Sequence, residues 1–138
     1  MLLEITGTAL LENDFDRFSN HFYIPHFIAT AENKTVLETR EDLRELFNTA
    51  VAGYSRQQVT NLARFCEVAE YRSDTRIEAM HITHLMSGNQ RVAEPFPSFS
   101  VLEFIDARWQ ITSSQYALDK TTIVGNAIRM RQARTSKQ

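Results

Sequence analysis

The stretch RIEAMHITHLM, residues 76 to 86, decides how the second half of this chain is interpreted. Apolar and polar residues alternate through it and β-branched residues are frequent, so the pattern indicates a β-strand. His81 and His84 form an H-x-x-H motif here, but residues three apart on a strand point to opposite faces of a sheet. A two-histidine chelate is therefore not expected from this segment, and we predict no metal and no organic cofactor.

The segments on either side continue the strand pattern. Four β-rich runs follow one another with short connections, which favours antiparallel hairpins over crossover connections. They cover residues 59–72, 75–87, 98–106 and 108–118. The second half of the chain is therefore predicted to be a four-stranded meander.

The first half of the chain shows helical periodicity in two segments, separated by a predicted hairpin. Leu11, Phe15, Phe18 and Phe22 are spaced by four, three and four residues, which predicts one amphipathic helix over residues 8–22, ended by Pro25. Residues 26–39 predict a hairpin that turns at Glu32-Asn33-Lys34. Thr39 then caps a second helix, which we expect to end near residues 53–55. The order predicts an α+β fold in which helices cross the concave face of one curved antiparallel sheet.

Composition narrows the classes of function. The net charge of about −2 argues against nucleic acid as a partner, and no apolar run approaches the roughly 18 residues of a membrane span. The single cysteine, Cys66, cannot form an internal disulfide, and we interpret it as a small buried hydrophobe. With no signal-like N-terminus, the expected location is cytoplasmic. Residues 1–120 are predicted to form a single domain, followed by a short helix and basic tail at 121–138.

Four motifs carry a resemblance to a known family. They are ALLENDFDRFSNHF at 9–22, YIPHFIAT at 23–30, TREDLRELF at 39–47 and RWQITSSQYAL at 108–118. Together they resemble the nuclear transport factor 2-like superfamily, and within it the small uncharacterised bacterial members. Ketosteroid isomerase, scytalone dehydratase and the SnoaL-like polyketide cyclases share this fold. The resemblance implies a cystatin-like α+β cone, with a curved antiparallel sheet wrapped around N-terminal helices and a central cavity.

The catalytic patterns of these enzymes do not transfer. The first helix lacks the tyrosine that serves ketosteroid isomerase as oxyanion donor, and residues 26–33 offer no carboxylate before Glu32 in place of its general base. The last strand lacks the acid of the polyketide cyclases. The histidines, tyrosines and aspartate used by scytalone dehydratase occur here only as residue types, without a matching motif. The resemblance therefore predicts a fold and leaves the reaction open.

One face of the strand at 76–86 carries no formal charge, and we assign that face to the concave side. His81 and Thr83 would then face the cavity of such a fold, where His81 could act as a proton-transfer group, although a purely structural histidine is the alternative. The opposite, convex face is too apolar for water and is a predicted homodimer surface. That face carries Met80, Ile82, His84 and Met86.

Further candidates for ligand binding come from the other segments. On the final strand, parity places Ser113 and Gln115 on the same face as Trp109 and Ile111, where they could orient a ligand. Tyr54 could cover the cavity, or be core. At the exit of the first helix, His21, Tyr23 and His26 lie near the expected cavity mouth, with a structural role as the alternative. Arg64 is interpreted as a solvated or interface charge rather than an anion anchor.

Two classes of function follow. The first is a protein that binds a small hydrophobic molecule, or a weak acid/base enzyme of the isomerase, cyclase or dehydratase type, with His81 as the catalytic group. The second is a non-catalytic homodimeric interaction module whose cavity is filled by side chains. An open cavity beside His81 distinguishes them, because only the first class needs one.

Overall fold

The sheet predicted from the second half of the chain organises the whole molecule. The computed structural model describes residues 2–30 and 34–116, and within them three helices pack against a seven-stranded sheet. The helices are α1 (Leu2–Leu11), α2 (Phe15–Ser19) and α3 (Arg40–Arg56). The strands are β1 (Phe22–Ala29), β2 (Lys34–Leu37), β3 (Asn61–Ser73), β4 (Arg76–Ser87), β5 (Gln90–Arg91), β6 (Phe96–Ile105) and β7 (Arg108–Tyr116).

The strand order is β2-β1-β7-β6-β4-β3, with the short β5 paired to β4. The predicted meander is confirmed, since β3, β4, β6 and β7 form successive antiparallel pairs. The sheet is not wholly antiparallel, however, because β1 runs parallel to β7. This pairing brings the first hairpin of the chain beside the last strand, and the α+β prediction holds.

The prediction of one helix over residues 8–22 is wrong. Asn13 has a φ of 56° and separates α1 from α2. Asparagine tolerates this left-handed backbone better than most residues. Asp14 then starts a new helix by accepting a hydrogen bond from the amide of Arg17. Phe22 and Pro25 both lie in β1, so the proline does not end the helix.

The start of α3 is as predicted. The Thr39 side chain accepts the amide of Asp42, and the Asp42 side chain accepts the amide of Thr39, which makes a reciprocal capping box. The helix continues one residue past the expected end, to Arg56. Its buried face carries Leu43, Phe47, Ala50, Gly53 and Tyr54.

Aromatic side chains join the helices in the core. The ring of Phe47 on α3 lies 5.3 Å from the ring of Phe15 and 4.9 Å from that of Phe18, both on α2. Phe18 in turn contacts Phe22 at the start of β1. The predicted aromatic residues therefore pack in the core, although they are not on one continuous helix.

Three predictions fall outside the described residues: the domain boundary at 120, the helix and basic tail at 121–138, and the tip of the turn at Glu32-Asn33. Within residues 2–30 and 34–116, no helix has the length and apolar character that crossing a membrane requires.

The capping box gives a test of the fold. Thr39→Ala removes one acceptor at the α3 N-terminus, and we expect it to lower the free energy of unfolding by about 1 kcal/mol. The melting temperature should fall by roughly 3 to 5 °C for a chain of this size. Thr49→Ala, in the middle of the same helix, is the control and should change it little. Equal destabilisation by both variants would contradict the capping role.

Candidate functional site

The middle of β4 confirms the predicted orientation of its two faces. His81, Thr83 and Leu85 are buried against the helices, while the residues between them are partly exposed. Antiparallel pairing aligns these residues with neighbours that share their face. Thr83 lies between Arg64 on β3 and Phe96 on β6. His81 lies beside Ser98, which pairs with Tyr116 on β7.

A partly open cavity of about 70 Å³ lies between this part of the sheet and the helices. The helices supply an almost wholly apolar roof, and the sheet supplies a floor that mixes apolar with polar groups. The roof is formed by Thr6, Leu10, Phe18, Leu43, Leu46, Phe47, Ala50 and Tyr54. The floor is formed by Phe22, Ile28, Arg64, His81, Thr83, Phe96, Ser100, Ile111, Ser114 and Tyr116.

Arg64 lines this cavity, so its interpretation as a solvated or interface charge is wrong. Its guanidinium donates to the hydroxyl of Thr6 on α1 at 3.0 Å. Its Nε is buried and has no hydrogen-bond partner. Arg64 faces the cavity because β3 pairs with β4 so that Arg64 lies opposite Thr83, and paired residues share a face of the sheet. The β3–β4 register shifts twice, between Cys66 and Val68 and between Tyr71 and Ser73. Two shifts of one residue cancel in their effect on alternation, so Arg64 is on the face that counting from the turn would give. Counting back from the turn at Asp74 and Thr75 would have placed Arg64 on the cavity face, whereas alternation within β3 alone did not.

Two titratable side chains of the cavity, His81 and Tyr54, are neutral at pH 7. Burial, reinforced by the nearby Arg64 cation, lowers the pKa of His81 to about 4. Burial raises the pKa of Tyr54 to about 12, with Arg64 opposing that rise. His81 therefore presents one donor and one acceptor nitrogen, and Tyr54 keeps its hydroxyl proton.

Ser113 and Gln115 do not face this cavity. The β6–β7 register shifts between the pairs Val101–Ser113 and Leu102–Ile111, which leaves Thr112 as a bulge. A bulge adds one residue to one strand and reverses the parity beyond it. Ser114 and Tyr116 therefore face inward, whereas Ser113 and Gln115 border a shallow groove with Phe27 on the other face. No motif in the sequence marks the bulge.

The three candidates at the helix exit also lie outside the cavity lining. His26 is buried, with its ring nitrogens 3.3 Å from the Ile111 carbonyl and 3.1 Å from the Ser114 hydroxyl. Burial lowers the pKa of His26 to about 4. His21 and Tyr23 are half-buried, and burial together with Arg108 and Arg17 lowers the pKa of His21. These contacts support the structural alternative for His26, which ties β1 to β7.

The convex face has the apolar character that was predicted. Met80, Ile82, His84 and Met86 are partly exposed there, and cross-strand pairing adds Phe65 and Phe99. Cys66 is exposed as a free thiol at the sheet edge, so its assignment as a buried residue is wrong. Residues 2–30 and 34–116 contain no cluster of three or more His, Cys, Asp or Glu side chains suited to a metal ion.

Solved structures with the same architecture are similar to this chain over most of its length. An NTF2-like protein of unknown function from Shewanella oneidensis MR-1 matches with a TM-score of 0.62 and 14% identity, covering 85% of this chain and 93% of that one. An NTF2-like protein with a cystatin-like fold from Novosphingobium aromaticivorans matches with a TM-score of 0.65 and 14% identity, covering 92% and 83%. This chain has the NTF2-like, cystatin-like fold. The resemblance drawn from the sequence motifs is thereby confirmed at the level of the fold.

The NTF2-like fold is compatible with catalysis. The hexachlorocyclohexane dehydrochlorinase LinA-type3 from Novosphingobium barchaimii LL02 matches this chain with a TM-score of 0.58 and 13% identity, covering 86% and 82%. No family model matches the sequence, and no curated protein matches it. At such low identity the NTF2-like fold alone is shared, so function has to be argued from the cavity itself.

The buried histidines predict a pH dependence of stability. His26 and His81 have pKa values of about 4 when folded, below the reference value of 6.5, so the unfolded chain binds protons first as the pH falls. Their stabilising effect is complete above about pH 6.5 and is lost towards pH 4. Between pH 7 and pH 5, each should lower the free energy of unfolding by roughly 2 kcal/mol.

Urea unfolding at both pH values checks this expectation. His26→Gln should be less stable at pH 7, because its ring contacts are lost, but should show a smaller drop on going to pH 5. The carboxylates titrate in both proteins and serve as the internal control. An identical drop in the variant would contradict a buried neutral His26.

Proposed function

We propose that this protein binds a small molecule in the cavity between α1, α3 and the concave sheet face. The observation that carries the proposal is the contrast between the apolar roof and the polar groups of the floor. An apolar pocket with a few convergent polar groups is the usual form of a small-molecule site. The remaining space argues against the alternative of an interior filled by side chains.

The size of the cavity limits the ligand. Its volume of about 70 Å³ is roughly half that of an engineered apolar cavity of about 150 Å³ that binds benzene in another protein. Polycyclic molecules of steroid size would require the helices to move away from the sheet. The best fit is a molecule of about four to six non-hydrogen atoms.

The state of His81 favours binding over strong acid/base catalysis. Its pKa of about 4 lies some three units below pH 7, so protonating it at that pH costs about 4 kcal/mol. A neutral imidazole is well suited to hydrogen-bond a ligand. Proton transfer by His81, with Tyr54 as a donor, is the second candidate, because both residues line the same cavity.

A cavity-filling variant tests the proposal. Ala50→Leu adds three carbons to the roof and should abolish binding of small neutral ketones, amides and alcohols. Asn48→Leu introduces the same side chain on the exposed side of α3 and should leave binding unchanged. Binding is measured by amide chemical-shift changes in NMR titrations, with the melting temperature of each variant as a check on folding. Failure of the whole panel to perturb residues around the cavity would refute the proposal.

We also propose that two copies pair through their convex faces, in the cytoplasm. Phe27, Phe65 and Phe99 are 55%, 57% and 52% exposed on this face, and they share it with Met80 and Ile82 by strand register. Exposed aromatic rings in such number are typical of interfaces. Ion pairs of Arg72 and Arg76 with Glu78 supply a polar rim at one end. The free thiol of Cys66 suits a reducing compartment.

Sedimentation equilibrium checks the dimer. Phe99→Glu would place two charges against apolar surface and should shift the dimer to monomers. Tyr71→Glu, an exposed aromatic whose strand pairing puts it on the opposite face, should leave it intact. A wild-type chain that sediments as a monomer up to high micromolar concentration would overturn the proposal.

A further inference from the structure

Arg64 is the one formally charged side chain among the described residues that line the cavity. Within the part of the chain that the structure describes, its one hydrogen bond is to Thr6, and its Nε is buried without a partner. No carboxylate within residues 2–30 and 34–116 forms an ion pair with it. Arg64 is half-buried, and a guanidinium withdrawn from water is normally paired with an anion, because an uncompensated charge away from solvent is unfavourable.

The end of α3 does not neutralise this cation by hydrogen bonding. Tyr54 lies in the last turn of α3, where free carbonyls would attract a positive charge. The carbonyls of Gly53, Tyr54 and Ser55 instead accept the backbone amides of residues 57 to 59. Arg64 therefore retains donor capacity that residues 2–30 and 34–116 do not use.

Ser98, on the cavity side of the sheet, also has a polar group without a partner. The hydroxyl of Ser98 is buried and has no hydrogen-bond partner, and strand register places it between His81 and Tyr116 on the cavity side of the sheet. The protonated hydroxyl of Tyr54 and the neutral ring of His81 line the same space. His81 and Tyr54 thus line the same cavity as this cation, whose roof is otherwise almost wholly apolar.

We infer that the ligand of this cavity is a small aliphatic carboxylate, held by Arg64 through its carboxylate group and by the α1–α3 roof through its hydrocarbon tail. The inference rests on the proposed binding function and names its ligand class. The planar guanidinium matches the two oxygens of a carboxylate. A phosphate ester would bring close to two negative charges to a lining with a single cation, so a monoanion fits better.

Isothermal titration calorimetry at pH 7 with butyrate and butyramide tests the inference. The two probes have nearly the same shape and differ by one charge. We expect the wild type to bind butyrate at least about tenfold more tightly than butyramide, as the loss of a charge-assisted hydrogen bond predicts. Sodium chloride at matched ionic strength controls for general anion effects.

Two variants complete the design. Arg64→Met should weaken butyrate binding at least about tenfold and butyramide binding much less, because only butyrate loses a charge-assisted hydrogen bond. Its melting temperature without ligand should be equal to or above that of the wild type, because an unpaired buried charge is removed. Arg56→Met removes an exposed arginine from the end of α3 and should bind both probes like the wild type.

The outcomes separate this inference from the proposed function. Equal binding of butyrate and butyramide, in both the wild type and Arg64→Met, would overturn the carboxylate assignment and leave the small-molecule site standing. The small-molecule site and the carboxylate assignment are both supported if Ala50→Leu abolishes butyrate binding and Arg64→Met weakens it. If neither probe binds while neutral ketones or alcohols still do, the carboxylate assignment alone fails.

Discussion

The side-chain alternation of β4, held between β3 and β6, is the constraint on which the rest of the structure depends. Because both neighbours pair with it over many residues, every second side chain of all three strands is directed to the same face. The inward set becomes the cavity floor and the outward set becomes the convex surface. A register slip of one residue would exchange these two sets. Packing of the inward apolar residues against α3 opposes such a slip and so keeps the cavity residues on the inner face.

Polar side chains in and next to the cavity avoid the cost of burial in two ways. His26, His81 and Tyr54 remain neutral, since burial moves their pKa values away from pH 7. His26 gains partners on β7 and becomes part of the framework. Arg64 follows neither course, because it keeps its charge and a buried nitrogen without a partner. Departures from local consistency of this kind tend to lie at functional sites.

Two errors in the sequence interpretation share a physical origin. Periodicity assumes an uninterrupted element, and it failed where one residue broke the regular geometry: Asn13 between two helices, and Thr112 in β7. The break at Asn13 left its mark in the sequence, because an asparagine followed by a helix-capping aspartate is a recognisable turn. The bulge at Thr112 left none, since it depends on how β7 aligns with β6.

By itself, the sequence determined most of the strands, the second predicted helix and the two faces of β4. Alternation assigned His81 and Thr83 to the buried side of a strand, the Thr39 capping box placed the start of α3, and the spacing of Phe15 and Phe18 anticipated the aromatic core. These are local properties, readable over a few residues. Only the tertiary structure decided that Arg64 faces the cavity with no counter-ion among the described residues, that Ser114 and Tyr116 line it in place of Ser113 and Gln115, and that His26 is buried against β7. Each of these depends on pairing between strands distant in sequence, where register and bulges decide what a side chain meets.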